Sequence, residues 1–138
     1  MKWSIRSTHY ESGENFVRLF RVESQLGGIW KSTVVPVEFE QYDIEIDIDL
    51  HIEKLNPIKT TNGIYRMSVV GGENRIIGLI EDVDEEDNLH YLRISIDGLI
   101  MIESSGLVLN KGDFYILSVP LAALEITPLG RVAMSSSP

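Results

Sequence analysis

Alternation of apolar and polar side chains dominates the chain. Most segments that read as extended have an apolar period of two residues, and no window longer than about ten residues has a helical period of 3.6. This pattern predicts a mainly β protein, an antiparallel barrel or sandwich of about 8–9 strands with at most one or two short helices. No repeat or long linker is visible. We therefore expect a single β domain at residues 1–131 and a flexible C-terminal tail at residues 132–138.

The clearest alternation is in YDIEIDIDLHIEK at residues 42–54, where even positions from Tyr42 to Ile52 are apolar and odd positions from Asp43 to Glu53 are polar. As one straight strand this segment would be about 43 Å long at about 3.3 Å per residue, more than twice a common strand. We expect it to curve, as strands of small barrels do, or to project as one arm of a long hairpin. The apolar parity changes between Phe39 and Tyr42, which predicts a bulge or a sharp bend there.

Hairpins are expected where two alternating runs flank a short turn. In HYLRISIDGLIMIES, a three-residue loop with Gly98 in the left-handed conformation would pair Ser95 with Leu99 and gather the apolar side chains on one face. The expected hairpins are residues 63–70 with 74–83, residues 90–104, and residues 106–119.

Other segments are expected to be loops, turns or ends. Residues 9–15 indicate a polar loop, and QLGG at residues 25–28 indicates a turn before extended chain at residues 29–39. PLAALE fits a short helix that begins at Pro120, with a strand as the alternative. From Thr127 onward the chain reads as a fraying end.

Cysteine is absent from the 138 residues. This excludes thiol nucleophiles, thiolate metal sites and disulfides, and it favours a reducing compartment. The first residues lack the apolar core of a signal peptide, and no stretch reaches the roughly 18 apolar residues that cross a bilayer. We therefore predict a cytoplasmic protein without a membrane partner.

The formal net charge of −9 is unevenly distributed. Residues 38–53 contain seven acidic residues and no Lys or Arg, and residues 81–87 contain six more, whereas residues 1–37 have a net charge of +2. An acidic field of this kind repels nucleic-acid phosphate and attracts basic proteins. We predict a basic protein partner and no nucleic-acid partner.

The acidic residues match no metal or cofactor motif. Neighbours on one face of a strand lie about 7 Å apart, whereas a calcium ion holds each ligand at about 2.5 Å. DVDEEDN at residues 82–88 begins like an EF-hand loop, but Asp87 stands where that loop requires Gly and Arg93 where it requires Glu. His51 has no second histidine at metal-ligand spacing. No metal and no other cofactor is predicted.

Catalytic motifs are also absent from the sequence. It contains no G-x-S-x-G, Walker loop, H-E-x-x-H or G-x-G-x-x-G. Carboxylates on an open, solvated face are poorly placed for acid–base catalysis, which depends on burial. A histidine near Ser104-Ser105-Gly106 would not by itself indicate a catalytic site. We predict that the protein is not an enzyme.

These observations together predict an acidic module that docks on a basic protein surface, as an immunity protein or antitoxin masks a toxin. Two groups of side chains would make the contact, one on the alternating segment (the acidic row) and one in the later acidic run (the acidic tip). The acidic row is Asp43, Glu45, Asp47, Asp49 and Glu53, and the acidic tip is Asp84, Glu85, Glu86 and Asp87.

Three other interpretations stay open. The acidic row can be the solvated side of a sheet, neutralised by cross-strand arginines. The domain can instead be a small-ligand-binding β-barrel, or a structural subunit of a homo-oligomeric assembly in which the long strand pairs across an interface. The positions of four arginines should distinguish internal neutralisation from docking: Arg18, Arg21, Arg66 and Arg93.

Overall fold

The computed structural model describes residues 1–132 and contains eleven strands and two short 3₁₀ helices. The mainly β class is therefore confirmed. Apart from Val132, the predicted tail at residues 132–138 lies outside the described residues. The strands are β1 (Lys2–Glu11), β2 (Glu14–Arg21), β3 (Ser24–Trp30), β4 (Gln41–Ile48), β5 (Ile58–Thr60), β6 (Arg66–Val70), β7 (Glu73–Asp84), β8 (Leu89–Ser95), β9 (Gly98–Glu103), β10 (Phe114–Pro120) and β11 (Leu124–Arg131), and the helices are η1 (Ile52–Leu55) and η2 (Leu121–Ala123).

Five strands close a barrel, and the other six form a second sheet. The barrel order is β1-β2-β3-β11-β4, and the sheet order is β5-β10-β7-β8-β9, with β6 also paired to β7. Every strand pair in the described chain is antiparallel except β3 with β11, which is parallel. The inward-facing side chains of the barrel and the sheet form one buried apolar cluster. Tyr42, Ile44 and Ile46 of β4 belong to it, as the alternation predicts.

A buried asparagine connects the sheet to the barrel. Asn74 of β7 is fully buried, and its Oδ1 accepts a hydrogen bond of 2.7 Å from the Gly27 N–H of β3. Its Nδ2 donates to the carbonyl oxygens of Gly27 at 2.7 Å and Val119 at 3.3 Å. The side-chain amide thus pairs with β3 as the backbone of a neighbouring strand would, and it satisfies polar groups that burial would otherwise leave without partners.

The alternating segment at residues 42–54 is not one strand. β4 ends at Ile48, residues 49–51 bend away, and η1 follows. Ile52 and Leu55 of η1 are both fully buried. The spacing of the buried residues changes from two to three there, because a 3₁₀ turn brings positions i and i+3 to the same side. The alternation of apolar and polar residues therefore continues in the sequence after β4 has ended, and this is why it predicted a strand that is too long.

The turn and extended chain predicted at residues 25–39 are also wrong. QLGG lies inside β3, and the turn comes earlier, where Glu23 has a φ of +58°. Residues 31–40 form no regular strand, and within them the Val34 carbonyl oxygen accepts a hydrogen bond of 2.6 Å from Trp30 Nε1. The bend predicted between Phe39 and Tyr42 is confirmed, with Phe39 at a φ of +67°.

The chain from Leu124 to Arg131 is a strand rather than a helix followed by a fraying end. Only Leu121–Ala123 of PLAALE is helical, and β11 then inserts between β3 and β4 to close the barrel. A register shift between Pro128 and Gly130 interrupts the alternation of apolar and polar residues in β11. The sequence pattern therefore did not predict this strand.

Three smaller predictions change as well. The loop expected at residues 9–15 is shorter, because β1 continues to Glu11. Residues 104–113 form no strand, so β10 lacks the hairpin partner expected at residues 106–109. In the β8–β9 hairpin Ser95 pairs with Gly98 instead of Leu99, and Gly98 has no positive φ, although the predicted core face is correct.

Candidate functional site

The acidic row begins on the outer side of β4, and its two ends differ. Asp43 lies at the neutralised end. Its carboxylate accepts a hydrogen bond of 2.9 Å from the Met1 ammonium group, and Lys2 of β1 stands opposite it in the register. Asp49 and Glu53 lie beyond the strand, in the bend and in η1.

The centre of the acidic row faces another acidic residue. In the pairing of β4 with β11, Glu45 stands opposite Thr127, and Asp47 stands opposite Glu125. Glu125 has only a long contact of 3.8 Å with the Lys31 ammonium. Within residues 1–132, no basic group lies within ion-pair distance of Glu45, Asp47 or Asp49. This part of the row is exposed and not neutralised by the described chain.

Two of the four arginines pair with other carboxylates. Arg21 donates two hydrogen bonds of 2.9 Å to Asp97 and stacks 4.6 Å from the Trp3 ring centre. This guanidinium holds the pKa of Asp97 well below its usual range. Arg93 binds Glu81 at 2.7 and 3.1 Å, and this hydrogen bonding lowers the pKa of Glu81.

The other two arginines, Arg18 and Arg66, pair with no carboxylate of residues 1–132. Since none of the four forms an ion pair with the acidic row, the described chain lacks the internal neutralisation that cross-strand arginines would provide.

A groove of about 880 Å³ opens where the acidic row leaves β4. Its acidic lining extends the row with Glu103, the last residue of β9. Apolar side chains line the same groove, so the surface offers both charge and apolar contact. We call it the acidic groove, because four carboxylates and one lysine line it. Its lining includes Asp47, Asp49, Leu50, His51, Glu53, Lys54, Leu89, Met101 and Glu103.

The rim of the acidic groove brings together a serine, a histidine and a glutamate. His51 Nδ1 shares a hydrogen bond with Ser105 Oγ, and His51 Nε2 lies 3.4 Å from Glu103 Oε2. The Ser105 N–H, which a serine hydrolase would need near its oxyanion, donates instead to Glu53 at 2.6 Å. The surrounding carboxylates would also repel an oxyanion. The arrangement therefore favours binding a cation over acyl transfer.

The acidic tip forms the turn between β7 and β8. Asp84 Oδ1 accepts a hydrogen bond of 3.1 Å from the Asp87 N–H, which is an ordinary turn contact. Glu85 and Glu86 are exposed between them. Asp84 and Glu85 line a second, smaller groove with Tyr91 and Leu99. The tip and the row thus line different grooves.

Comparisons with protein-family models, curated proteins and solved structures find no match. Among residues 1–132, no group of three or more His, Asp or Glu side chains is arranged to hold a metal ion. The same residues contain no helix with the length and apolar character needed to cross a membrane. The physical properties of the acidic groove are therefore the basis for a functional proposal.

The sequence interpretation missed Glu103 and Glu125. Glu103 lies on the exposed side of β9, whose alternation reads IMIE, but nothing in the sequence places β9 beside β4. Glu125 lies between the apolar residues Leu124 and Ile126, which is the alternation of a strand. That alternation could have predicted Glu125 on the outer face, but the segment was interpreted as a helix. Each joins the acidic surface through tertiary contacts between strands far apart in the chain.

Below the acidic groove, a buried histidine contacts the loop that carries Ser105. His90 Nε2 accepts a hydrogen bond of 2.9 Å from the Leu109 N–H. Its Nδ1 and Glu53 Oε1 are both buried without a hydrogen-bond partner in the described chain. Burial lowers the pKa of His90, partly opposed by the negative charge of Glu53. A second proton on the ring would remove the acceptor that Leu109 uses.

Lowering the pH from about 7.5 to about 5.5 is expected to reduce the free energy of unfolding through His90. The folded-state pKa of His90 lies below the ordinary value of 6.5, so the unfolded chain binds the proton first as the pH falls. Neutral His90 makes its full contribution to the free energy of unfolding above about pH 6.5, and this contribution decreases as the pH falls below that value. Urea titrations at the two pH values measure this change.

The control for this pH dependence is a pair of histidine variants. His90→Gln keeps an acceptor for the Leu109 N–H but does not titrate, so its stability should change less with pH than that of the unmodified protein. His9→Gln removes an exposed histidine that contacts Glu11 at 3.2 Å, and it should change the pH dependence less than His90→Gln does. An equal loss in His90→Gln and in the unmodified protein would contradict the assignment.

Proposed function

We propose that the protein is a non-enzymatic interaction module that binds a basic protein segment in the acidic groove. The observation that carries the proposal is the exposed set Glu45, Asp47 and Asp49, which has no basic partner in residues 1–132 and is extended by Glu103 and Glu125. Like charges held on one surface repel each other, and a basic partner would remove that repulsion on binding.

The lining of the groove defines the partner more closely. Lys or Arg side chains would meet the carboxylates, and Leu50, Leu89 and Met101 would contact their aliphatic stems or neighbouring apolar residues. Masking of a basic, toxin-like surface by an immunity protein or antitoxin is one function of this kind. The acidic tip would add a second, weaker contact. A cytoplasmic location remains a prediction.

Two alternatives receive less support. A ligand-binding barrel would need interior space, but Ile44, Ile46 and Leu124 pack with other side chains in the buried cluster. In a homo-oligomer joined through the long strand, β4 would need a free edge. One edge of β4 is paired with β11 from Tyr42 to Ile48, and the other is paired with β1 from Gln41 to Asp43, so only the second half of one edge is free.

The experiment is charge reversal at the centre of the row, Asp47→Lys together with Asp49→Lys. The probe is a fluorescein-labelled peptide of alternating Lys and Leu, compared with a Glu and Leu peptide, in fluorescence anisotropy. We expect the double variant to bind the basic peptide at least about tenfold more weakly, since two contacts with charged groups are lost. Binding to the unmodified protein should also weaken between about 50 and 200 mM NaCl.

Glu23→Lys with Glu73→Lys is the matched control, because it changes the net charge equally at two exposed positions elsewhere. It should change the affinity by less than about threefold, as expected for screened charges at a distance. Equal losses in the two double variants would show that only net charge matters. Unchanged binding in the Asp47 and Asp49 variant would refute docking at the row.

A further inference from the structure

A β-bulge in β1 places Arg6 on the outer face of the barrel, where it lines the same groove as Arg18. Ile5 pairs with Leu19 and Ser7 pairs with Arg18, which leaves Arg6 as the extra residue between them. Ile5 is fully buried, so Arg6 lies on the outer face, where Ser7 and Arg18 also lie. A bulge redirects a side chain from the regular alternation. Here it adds Arg6 to the groove that Arg18 also lines.

An apolar wall lies next to this arginine pair. Arg18 stands opposite Gly27 of β3, and the missing side chain at Gly27 lets Leu121 and the stem of Arg18 pack over it. A Cβ at Gly27 would lie 2.6 Å from Leu121 Cδ2 and 3.2 Å from Arg18 Cδ. The resulting groove of about 430 Å³ is lined by Arg6, Phe16, Arg18, Gln25 and Leu121, among others.

The two guanidiniums lack a counterion in the described chain. Arg6 and Arg18 form no ion pair within residues 1–132, although Arg21 and Arg93 each bind a carboxylate. The acidic residue that lines this groove is Glu11, which pairs with His9 at 3.2 Å. Two positive charges that line one groove, on a protein of net charge −9, therefore remain available to an anion.

We propose that this groove binds a small amphipathic carboxylate, such as a medium-chain fatty acid. The carboxylate would accept hydrogen bonds from Arg6 and Arg18, and the alkyl chain would lie against Phe16 and Leu121. The volume of about 430 Å³ is within the range of small-molecule pockets. Pairing of guanidinium with carboxylate gives short, charge-assisted hydrogen bonds that a neutral ligand cannot form. This site does not depend on the acidic groove.

Isothermal titration calorimetry of the full chain with octanoate, and with 1-octanol as the uncharged analogue, tests the proposal. Octanoate should bind at least about tenfold more tightly than octanol, because only the acid forms charge-assisted bonds. Arg6→Met with Arg18→Met keeps the aliphatic stems, removes both charges, and should weaken octanoate binding by at least about tenfold while leaving octanol unchanged.

Arg66→Met with Arg75→Met is the matched control. These arginines line a different groove and also form no ion pair in the described residues. The control should bind octanoate within about twofold of the unmodified protein. No octanoate binding, equal binding of octanol and octanoate, or equal losses in the two double variants would each overturn the proposal. If Arg18→Met lowers the melting temperature, Arg6→Met alone must still weaken octanoate binding.

Discussion

Replacement of Asn74 by leucine is expected to lower the free energy of unfolding by about 3 to 5 kcal/mol, because it removes three buried hydrogen bonds. Leucine has nearly the shape of asparagine, so the cavity term stays small. The Gly27 N–H, the Gly27 carbonyl and the Val119 carbonyl would each lose a hydrogen bond from the Asn74 side chain. Urea denaturation followed by tryptophan fluorescence measures the change.

Asn62→Leu is the control for this variant, since Asn62 is exposed in a loop and its side chain should contribute little. Its stability should stay within about 0.5 kcal/mol of the unmodified protein. Asn74→Asp adds a second test. It keeps an acceptor for the Gly27 N–H, loses both donated bonds and buries a carboxyl group, so it should also be strongly destabilised. A loss below about 1 kcal/mol in Asn74→Leu would contradict the bridging role of Asn74.

The fold class follows from the sequence because the inward-facing side chains repeat every two residues. Trp3 and Ile5 of β1, and Tyr42, Ile44 and Ile46 of β4, all occupy the core that the alternation assigns to them. Barrel closure could not be predicted in the same way. It depends on a parallel pairing in which Glu125 stands opposite Ile29, far apart in the sequence, and local periodicity carries no information about such a contact.

The candidate site was predictable only in part, for a related reason. Alternation identifies the members of the acidic row, but the row divides because Ile52 and Leu55 bury through a 3₁₀ turn. Whether the row is neutralised depends on partners from other elements. Asp43 forms an ion pair with the Met1 ammonium group, whereas Asp47 stands opposite Glu125 in the neighbouring strand. Neither arrangement can be predicted from the spacing of residues 42–54.

The arginine side chains of residues 1–132 form no ion pair with the acidic row. Arg21 and Arg93 are held by Asp97 and Glu81 at the sheet, so they do not compensate the row. Arg6 and Arg18 line one groove beside the β1 bulge. An acidic surface and a smaller basic groove thus exist on one chain. The screening length in physiological salt is about 8 Å, which allows charge variants of the two regions to act independently beyond that distance.

Gly28→Ala is expected to destabilise the protein by about 2 to 3 kcal/mol, since the added methyl group would overfill the seam that closes the barrel. An added Cβ would lie 2.4 Å from the Leu124 carbonyl oxygen and 2.7 Å from Leu124 Cδ2. The carbonyl belongs to the backbone of β11, so a side-chain rotation cannot relieve that contact. Either β3 and β11 must separate or the parallel pairing at Ile29 and Trp30 must distort.

The control for this substitution is Gly130→Ala in β11. A Cβ at Gly130 would meet no heavy atom within 4 Å, and Gly130 has no positive φ. Its stability should be unchanged or slightly higher, because alanine reduces the conformational entropy of the unfolded chain. Thermal and urea unfolding of both variants measure the difference. Equal stabilities would contradict the prediction, because they would show that the seam between β3 and β11 accommodates a methyl group at position 28 without cost.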